Sequence, residues 1–170
     1  MEWIQITSPD DFRVKKIYDS YSTSFPEDER RDWYQFVALF CHPKVKIFSV
    51  IEEANDVGYL ILWELKNHVF VEHFEVFTDF RNRNLGSQIV SHLLASHPRI
   101  ILEIEPSDLN ENSKRRFSFY QKNNFHLIDE MYVQPSYGKM KNPVSLWLLS
   151  NYHPENLNDV KDEIHDVVYH

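Results

Sequence analysis

Glycine and cysteine are the scarce residues of this chain. Gly58, Gly86 and Gly138 are the only glycines in 170 residues, so a glycine at a turn stands where the backbone requires one. The lone Cys41 precludes an internal disulfide and suits a reducing compartment. Its aromatic setting, Ala38-Leu39-Phe40-Cys41-His42-Pro43, predicts a buried structural thiol. No apolar run approaches the roughly 20 residues of a spanning helix, and Met1-Glu2-Trp3 opens no signal peptide. A soluble, cytoplasmic protein with no membrane partner is expected. The 9 histidines lack ligand spacing: His92 and His97 are five apart, and His153, His165 and His170 lie in the tail. Without a His-x-x-x-His or a cysteine pair, no metal is expected. Gly-x-Ser-x-Gly, Walker and dinucleotide-binding patterns are missing as well. Basic excess is also absent. A net charge of -8 argues against nucleic acid as a partner and leans toward a cationic substrate.

What is present suits one domain: 42% hydrophobic and 26% charged residues, with aromatics plentiful at 15%. The chain is organised around residues 69–94. Residues 69–77 mix β-branched and aromatic side chains, the composition of a half-buried strand. Leu85, Ile89, Val90, Leu93 and Leu94 then recur at helical spacing. Between them lies Arg81-Asn82-Arg83-Asn84-Leu85-Gly86-Ser87, which holds two cations and no acid. A turn feeding a helix N-terminus presents unpaired N–H groups and the positive end of the dipole, so it is an anion site suited to phosphate.

The other segments follow from periodicity and punctuation. A first strand is expected at 3–6. Ser8 is the expected cap of a first helix, with Pro9 at its first position. Acids before bases over 27–31 predict the start of a second helix that Pro43 stops. Strands are expected at 45–52, 57–65 and 69–77, joined by short turns at 54–56 and 66–68. Helix 85–97 leads to strand 100–105, which that crossover allows to run parallel to strand 69–77. Helix 110–122 and strands 125–133 and 144–149 complete a single domain over 1–150. The Pro/Tyr/Gly segment 134–143 reads as a lid or surface loop. In the tail, 151–170, Val160, Ile164, Val167 and Val168 mark a short helix, either docked on the domain or forming a homodimer contact.

The turn resembles the acyl-CoA pyrophosphate loop of the GNAT superfamily of N-acetyltransferases, Arg/Gln-x-x-Gly-x-Gly/Ala. Arg81 and Gly86 match its first and last positions, and Asn84 replaces its first glycine. Residues 115–125 resemble the family's later Phe-Tyr-x-x-x-Gly-Phe signature, with Asn124 for glycine. Asn is the residue after glycine most tolerant of positive φ, so both replacements keep the backbone freedom the positions ask for. The resemblance spans roughly residues 2–150. It implies the GNAT fold, an α+β architecture with a mixed, mostly antiparallel sheet flanked by helices. It also implies acetyl-CoA as co-substrate and a small-molecule or peptide amine as acceptor.

Acetyl transfer to an amine needs a group to take the amine proton and one to protonate the departing thiolate. By resemblance, Tyr120 is the acid, and a phenol is protonated at neutral pH. For the base, alternation puts Glu72, Phe74 and Val76 on one face of strand 69–77 and Val71, His73, Glu75 and Phe77 on the other. Glu72 interrupts the first face, but a bulge where the strand splays would exchange the faces and favour Glu75 or His73. Glu103 and Glu105 share a face of strand 100–105 and could together hold a cationic amine. For the cofactor, the resemblance implies pairing with Phe74, Glu75 and Val76. The backbone of Asn82, Arg83, Asn84, Leu85, Gly86 and Ser87 would hold the pyrophosphate, with charge from Arg81 and Arg83. A GNAT-fold protein that binds acyl-CoA or a partner without catalysis is the alternative.

Overall fold

A computed structural model describes residues 1–169; His170 lies outside the described residues. The chain forms β1 (Glu2–Ile6), α1 (Phe12–Ser24), α2 (Trp33–Ala38), β2 (Val45–Glu52), β3 (Asn55–Glu64), β4 (Val69–Val76), α3 (Leu85–Ser96) and β5 (Ile100–Ile104). There follow α4 (Glu111–Lys122), β6 (His126–Asp129), β7 (Val133–Gln134), β8 (Val144–Ser145), β9 (Trp147–Ser150) and α5 (Leu157–Val168). Seven strands make one sheet in the order β1-β2-β3-β4-β5-β9-β6, and β7 pairs with β8 apart from it. Among the described residues only the β4–β5 pair is parallel, because α3 carries the chain back across the sheet between them.

Side chains alternate from the sheet into two cores. Tyr59, Ile61 and Trp63 of β3 pack with Tyr21, Phe36, Ile164 and Val168 on the face covered by α1, α2 and α5. Leu60 and Leu62 join Ile89, Val90, Leu93 and Tyr120 on the face covered by α3 and α4. Ile164 and Val168 of α5 are 0% and 1% exposed, so residues 157–168 belong to the core of the same body. Among the described residues, no helix is long and apolar enough to cross a membrane.

Four local expectations are corrected. Helix α1 starts at Phe12, capped by Asp11, whose carboxylate accepts from Arg13 N–H at 2.9 Å. Ser8 instead closes a turn, its carbonyl accepting from Asp11 N–H. The acids 27–29 make a single 3₁₀ turn without a side-chain cap. Helix α2 begins after Asp32, where a reciprocal capping box with Gln35 satisfies two orphan donors. The extended chain this leaves at Arg30 lets Arg31 reach the sheet. The β2–β3 hairpin turns at Glu53 and Ala54, with φ of 50° and 62°, one residue earlier than the expected turn at 54–56. Finally, Cys41 is exposed, not buried.

Candidate active site

A fork in the sheet makes the site. β4 and β5 pair only at Val69↔Ile100, Phe70↔Ile101 and Val71↔Leu102. Beyond Val71, β4 is bonded to β3 alone, while β5 continues beside β9. The wedge opens into a cleft of about 810 Å³ walled by β4, β5, the start of α3 and the inner face of α4.

A bulge accompanies the fork. Ile61 faces His73 and Leu62 faces Val71, which leaves Glu72 without a cross-strand partner. The inserted residue resets the alternation. Phe74 and Val76 stay with Val71 on the α3 side. Glu72 turns to Trp63, His73 to Tyr21, and Glu75 to Ser20 and Ser24, all on the α1 side. The face shared by Glu72, Phe74 and Val76 under strict alternation therefore does not exist. Gly58 permits the close approach of β3 and β4 here: a Cβ on it would lie 2.3 Å from the Glu75 carbonyl oxygen.

The far end of the cleft is the turn before α3. Asn82 and Asn84 have φ of 64° and 59°, the left-handed conformation their identity favours. Asn84 caps α3 without a side-chain hydrogen bond, so the first-turn N–H groups carry no side-chain cap where Asn84, Leu85, Gly86 and Ser87 line the cleft. Gly86 serves packing: a Cβ there would stand 3.3 Å from two ring atoms of Phe119 on α4. The two arginines have protein partners of their own. Arg81 folds back to donate to the Val76 carbonyl at 2.9 Å and to Glu75 at 3.1 Å. Arg83 donates to the Asp79 carbonyl and lies over the Phe80 ring, outside the cleft lining. Both have protein partners close at hand; Arg81 still lines the cleft, as does Arg115, a cation the sequence did not single out.

The carboxylates differ sharply in state. Burial would raise the Glu72 pKa, yet the Arg31 guanidinium and hydrogen bonds from Trp63 and Tyr137 bring it below the usual range. Arg31 Nε lies 2.9 Å away, Trp63 Nε1 2.7 Å and Tyr137 Oη 2.7 Å, with the Glu72 side chain 0% exposed. It is an ionised anchor. His73, lowered to about 4 chiefly by burial, is neutral at physiological pH.

Glu103 behaves oppositely. Burial pushes it up to about 8 against the pull of two tyrosine hydroxyls, and the charges of Glu72 and Glu29 add to the rise. Tyr132 donates to one oxygen at 2.5 Å and Tyr169 to the other at 2.8 Å. Glu105 pairs instead with Arg116 of α4. The expected Glu103–Glu105 pair is thus divided, because β5 ends at Ile104 and the chain leaves its alternation before Pro106. Tyr120 is buried on α4, and burial raises it to about 12, so its hydroxyl keeps its proton at neutral pH. Among the described residues, that hydroxyl makes no hydrogen bond, and Tyr120 lines the cleft.

Tyr132 and Tyr169 carry no motif and were missed, while Arg31 and Tyr137 fall in stretches, 25–31 and 134–143, that resemble a family subgroup but had no role assigned to them. Arg31 lies in the charged 27–31 stretch and Tyr137 in the 134–143 loop, but nothing local to either points at the two glutamates they and the other tyrosines bind.

A model of the acetyltransferase (GNAT) family matches residues 14–125. The chain belongs to this family. YjbC of Bacillus subtilis (strain 168), provisionally named an acetyltransferase, is 28% identical over 109 residues, covering 64% of this chain. The matched part of this chain spans about half, 55%, of that relative's length. A solved GNAT-family structure from Bacteroides thetaiotaomicron, also provisionally named, superposes with a TM-score of 0.91 at 24% identity, over 99% of this chain and 98% of its own. A GNAT acetyltransferase from Elizabethkingia anophelis, solved with acetyl-CoA bound, has a TM-score of 0.60 at 10% identity, over 88% and 95% of the two chains. At these identities the structures establish that the chain has the GNAT fold.

The residues present fit acetyl-CoA in chemistry and in shape. Past Val71, β4 has no strand partner on its fork side, which suits an extended amide-bearing arm. The helix start beyond has no side-chain cap, and Gly86 keeps it close against Phe119.

Proposed function

We propose that this GNAT protein is an N-acetyltransferase that moves an acetyl group from acetyl-CoA to a primary amine by direct transfer in a ternary complex. One observation carries the reading: the β4–β5 fork opens onto an uncapped helix N-terminus inside one cleft. Acetyl-CoA supplies the activated thioester. The backbone of residues 82–87 binds its pyrophosphate, and the open edge of Phe74–Val76 aligns its arm.

Glu103 accepts the ammonium proton. A base whose pKa lies near the operating pH combines availability with driving force, and Glu103 meets that condition where the saturated Glu72 does not. The freed amine attacks the thioester carbon, an amide C–N bond forms and the C–S bond breaks. Tyr120 gives its proton to the departing sulfur and regains one from the second proton that the amine nitrogen sheds as the amide forms. Two nearby carboxylates held at opposite extremes, Glu72 ionised and Glu103 able to exchange a proton near neutrality, divide structural from chemical duty.

The acceptor is a small molecule or peptide bearing an amine, and a cytoplasmic setting is in keeping with the lone cysteine. Initial rates with acetyl-CoA across amino acids, polyamines, aminoglycosides and short peptides test the reading. Acetylated amine should form in step with free CoA. Tight acetyl-CoA binding with no turnover on any amine class would favour a binding module.

A further inference from the structure

The segment that follows α5 enters the site. Tyr169 Oη donates to Glu103 Oε2 at 2.8 Å, opposite Tyr132 on Oε1. One residue earlier, the Val168 carbonyl accepts from Arg31 Nη2 at 2.6 Å, while Arg31 Nε holds Glu72. The Tyr169 ring packs on Tyr137, whose hydroxyl also binds Glu72. The end of α5 is therefore fastened to both carboxylates at the mouth of the fork, one on β4 and one on β5.

We propose that Tyr169, together with Tyr132, is a positioning residue for the reaction: the two hydroxyls hold the Glu103 carboxylate in one orientation facing the cleft and stabilise its charged form. This rests on the transferase reading above. A carboxylate on an open strand edge would otherwise swing among rotamers. With one donor on each oxygen, its plane is fixed by groups from two remote segments, and lone pairs remain for an incoming ammonium. The charged and titratable groups around it are Tyr132 before β7, Tyr137 in the 134–143 loop, Tyr169 after α5, Glu72 on β4 and Glu29 in the 3₁₀ turn. Glu72 and Glu29 oppose its ionisation, which leaves the hydroxyls as the favourable partners.

Tyr169→Phe and Tyr132→Phe test this, each deleting one donor while keeping the ring. Isotope-edited infrared titration of Glu103 needs no acceptor and reads its protonation directly. Each variant should move the midpoint upward by about one pH unit, the size of a hydrogen bond to a charged group. Acetyl transfer at neutral pH should fall about tenfold, recover about one pH unit higher, and leave acetyl-CoA affinity unchanged. A merely structural tyrosine would lower thermal stability and leave the titration in place. A midpoint unmoved in both folded variants, or a rate loss that no pH restores, overturns the proposal. A native protein that binds no acetyl-CoA removes the transferase reading instead, and the infrared shift separates the two failures.

Discussion

Replacing Glu103 with Gln should stabilise the protein, and increasingly so as pH rises. Folding lifts this carboxyl from an ordinary 4.5 to about 8. Between those values the folded state binds one proton more than the unfolded chain. Stability therefore falls as pH rises, by about 1.4 kcal/mol per pH unit. Below the window both states are protonated, and above it both are ionised with the full penalty in place. From about pH 5 to about pH 8.5 the accumulated loss is about 4 kcal/mol. Glutamine fills the same space and never ionises, so the stability gap between variant and native should widen by about that amount. Glu29, raised to about 7, and Glu72, lowered, are common to both proteins and largely cancel in the difference. Urea unfolding with linear extrapolation at several pH values measures the gap. A gap that stays flat from acid to base would refute the assignment of a proton to buried Glu103. The same variant should transfer acetyl groups far more slowly, so stability and activity would move in opposite directions.

Three further outcomes follow from the geometry. Tyr120→Phe should lower turnover roughly 10²–10⁴-fold, the range for loss of a general acid, with acetyl-CoA affinity preserved in a binding titration. Gly58→Ala, whose Cβ would stand 2.3 Å from a backbone oxygen, should destabilise by about 1–3 kcal/mol in denaturant and weaken acetyl-CoA binding by displacing the end of β4. Ala54→Gly relieves a left-handed alanine in the β2–β3 turn and should raise stability by about 1 kcal/mol, seen as a higher melting temperature with kinetics unchanged.

The parts of this architecture written in local chemistry could be read from the chain. The 69–94 stretch is one, since β-branched strand, asparagine turn and apolar helix face each follow from short-range rules. Asn84 and Asn124, standing for glycines, both take positive φ, of 59° and 67°, as their residue type allows. What escaped reading depends on remote partners. The bulge anticipated where the strand splays does form, but its place at Glu72, where β4 leaves β5 while still paired with β3, is a conflict between neighbours that alternation does not encode. The states of Glu72 and Glu103 are likewise set from 41 and 65 residues away for one, and 29 and 66 for the other. The contacts of Arg81 were likewise not legible in the loop pattern: a buried carboxylate and a strand-end carbonyl lie within its reach, although it also lines the cleft.

Thermal unfolding with and without acetyl-CoA, on the native protein and on Gly86→Asp, tests the central claim most directly. At about 100 times its dissociation constant, a ligand that binds only the folded state adds about 2.7 kcal/mol. The native protein should show that shift. In Gly86→Asp, a side chain pressed toward Phe119 and a negative charge in the first turn of α3 should abolish it, while the unliganded variant remains folded. An unshifted native protein, or a variant that shifts equally, would contradict an acetyl-CoA site at the β4–β5 fork.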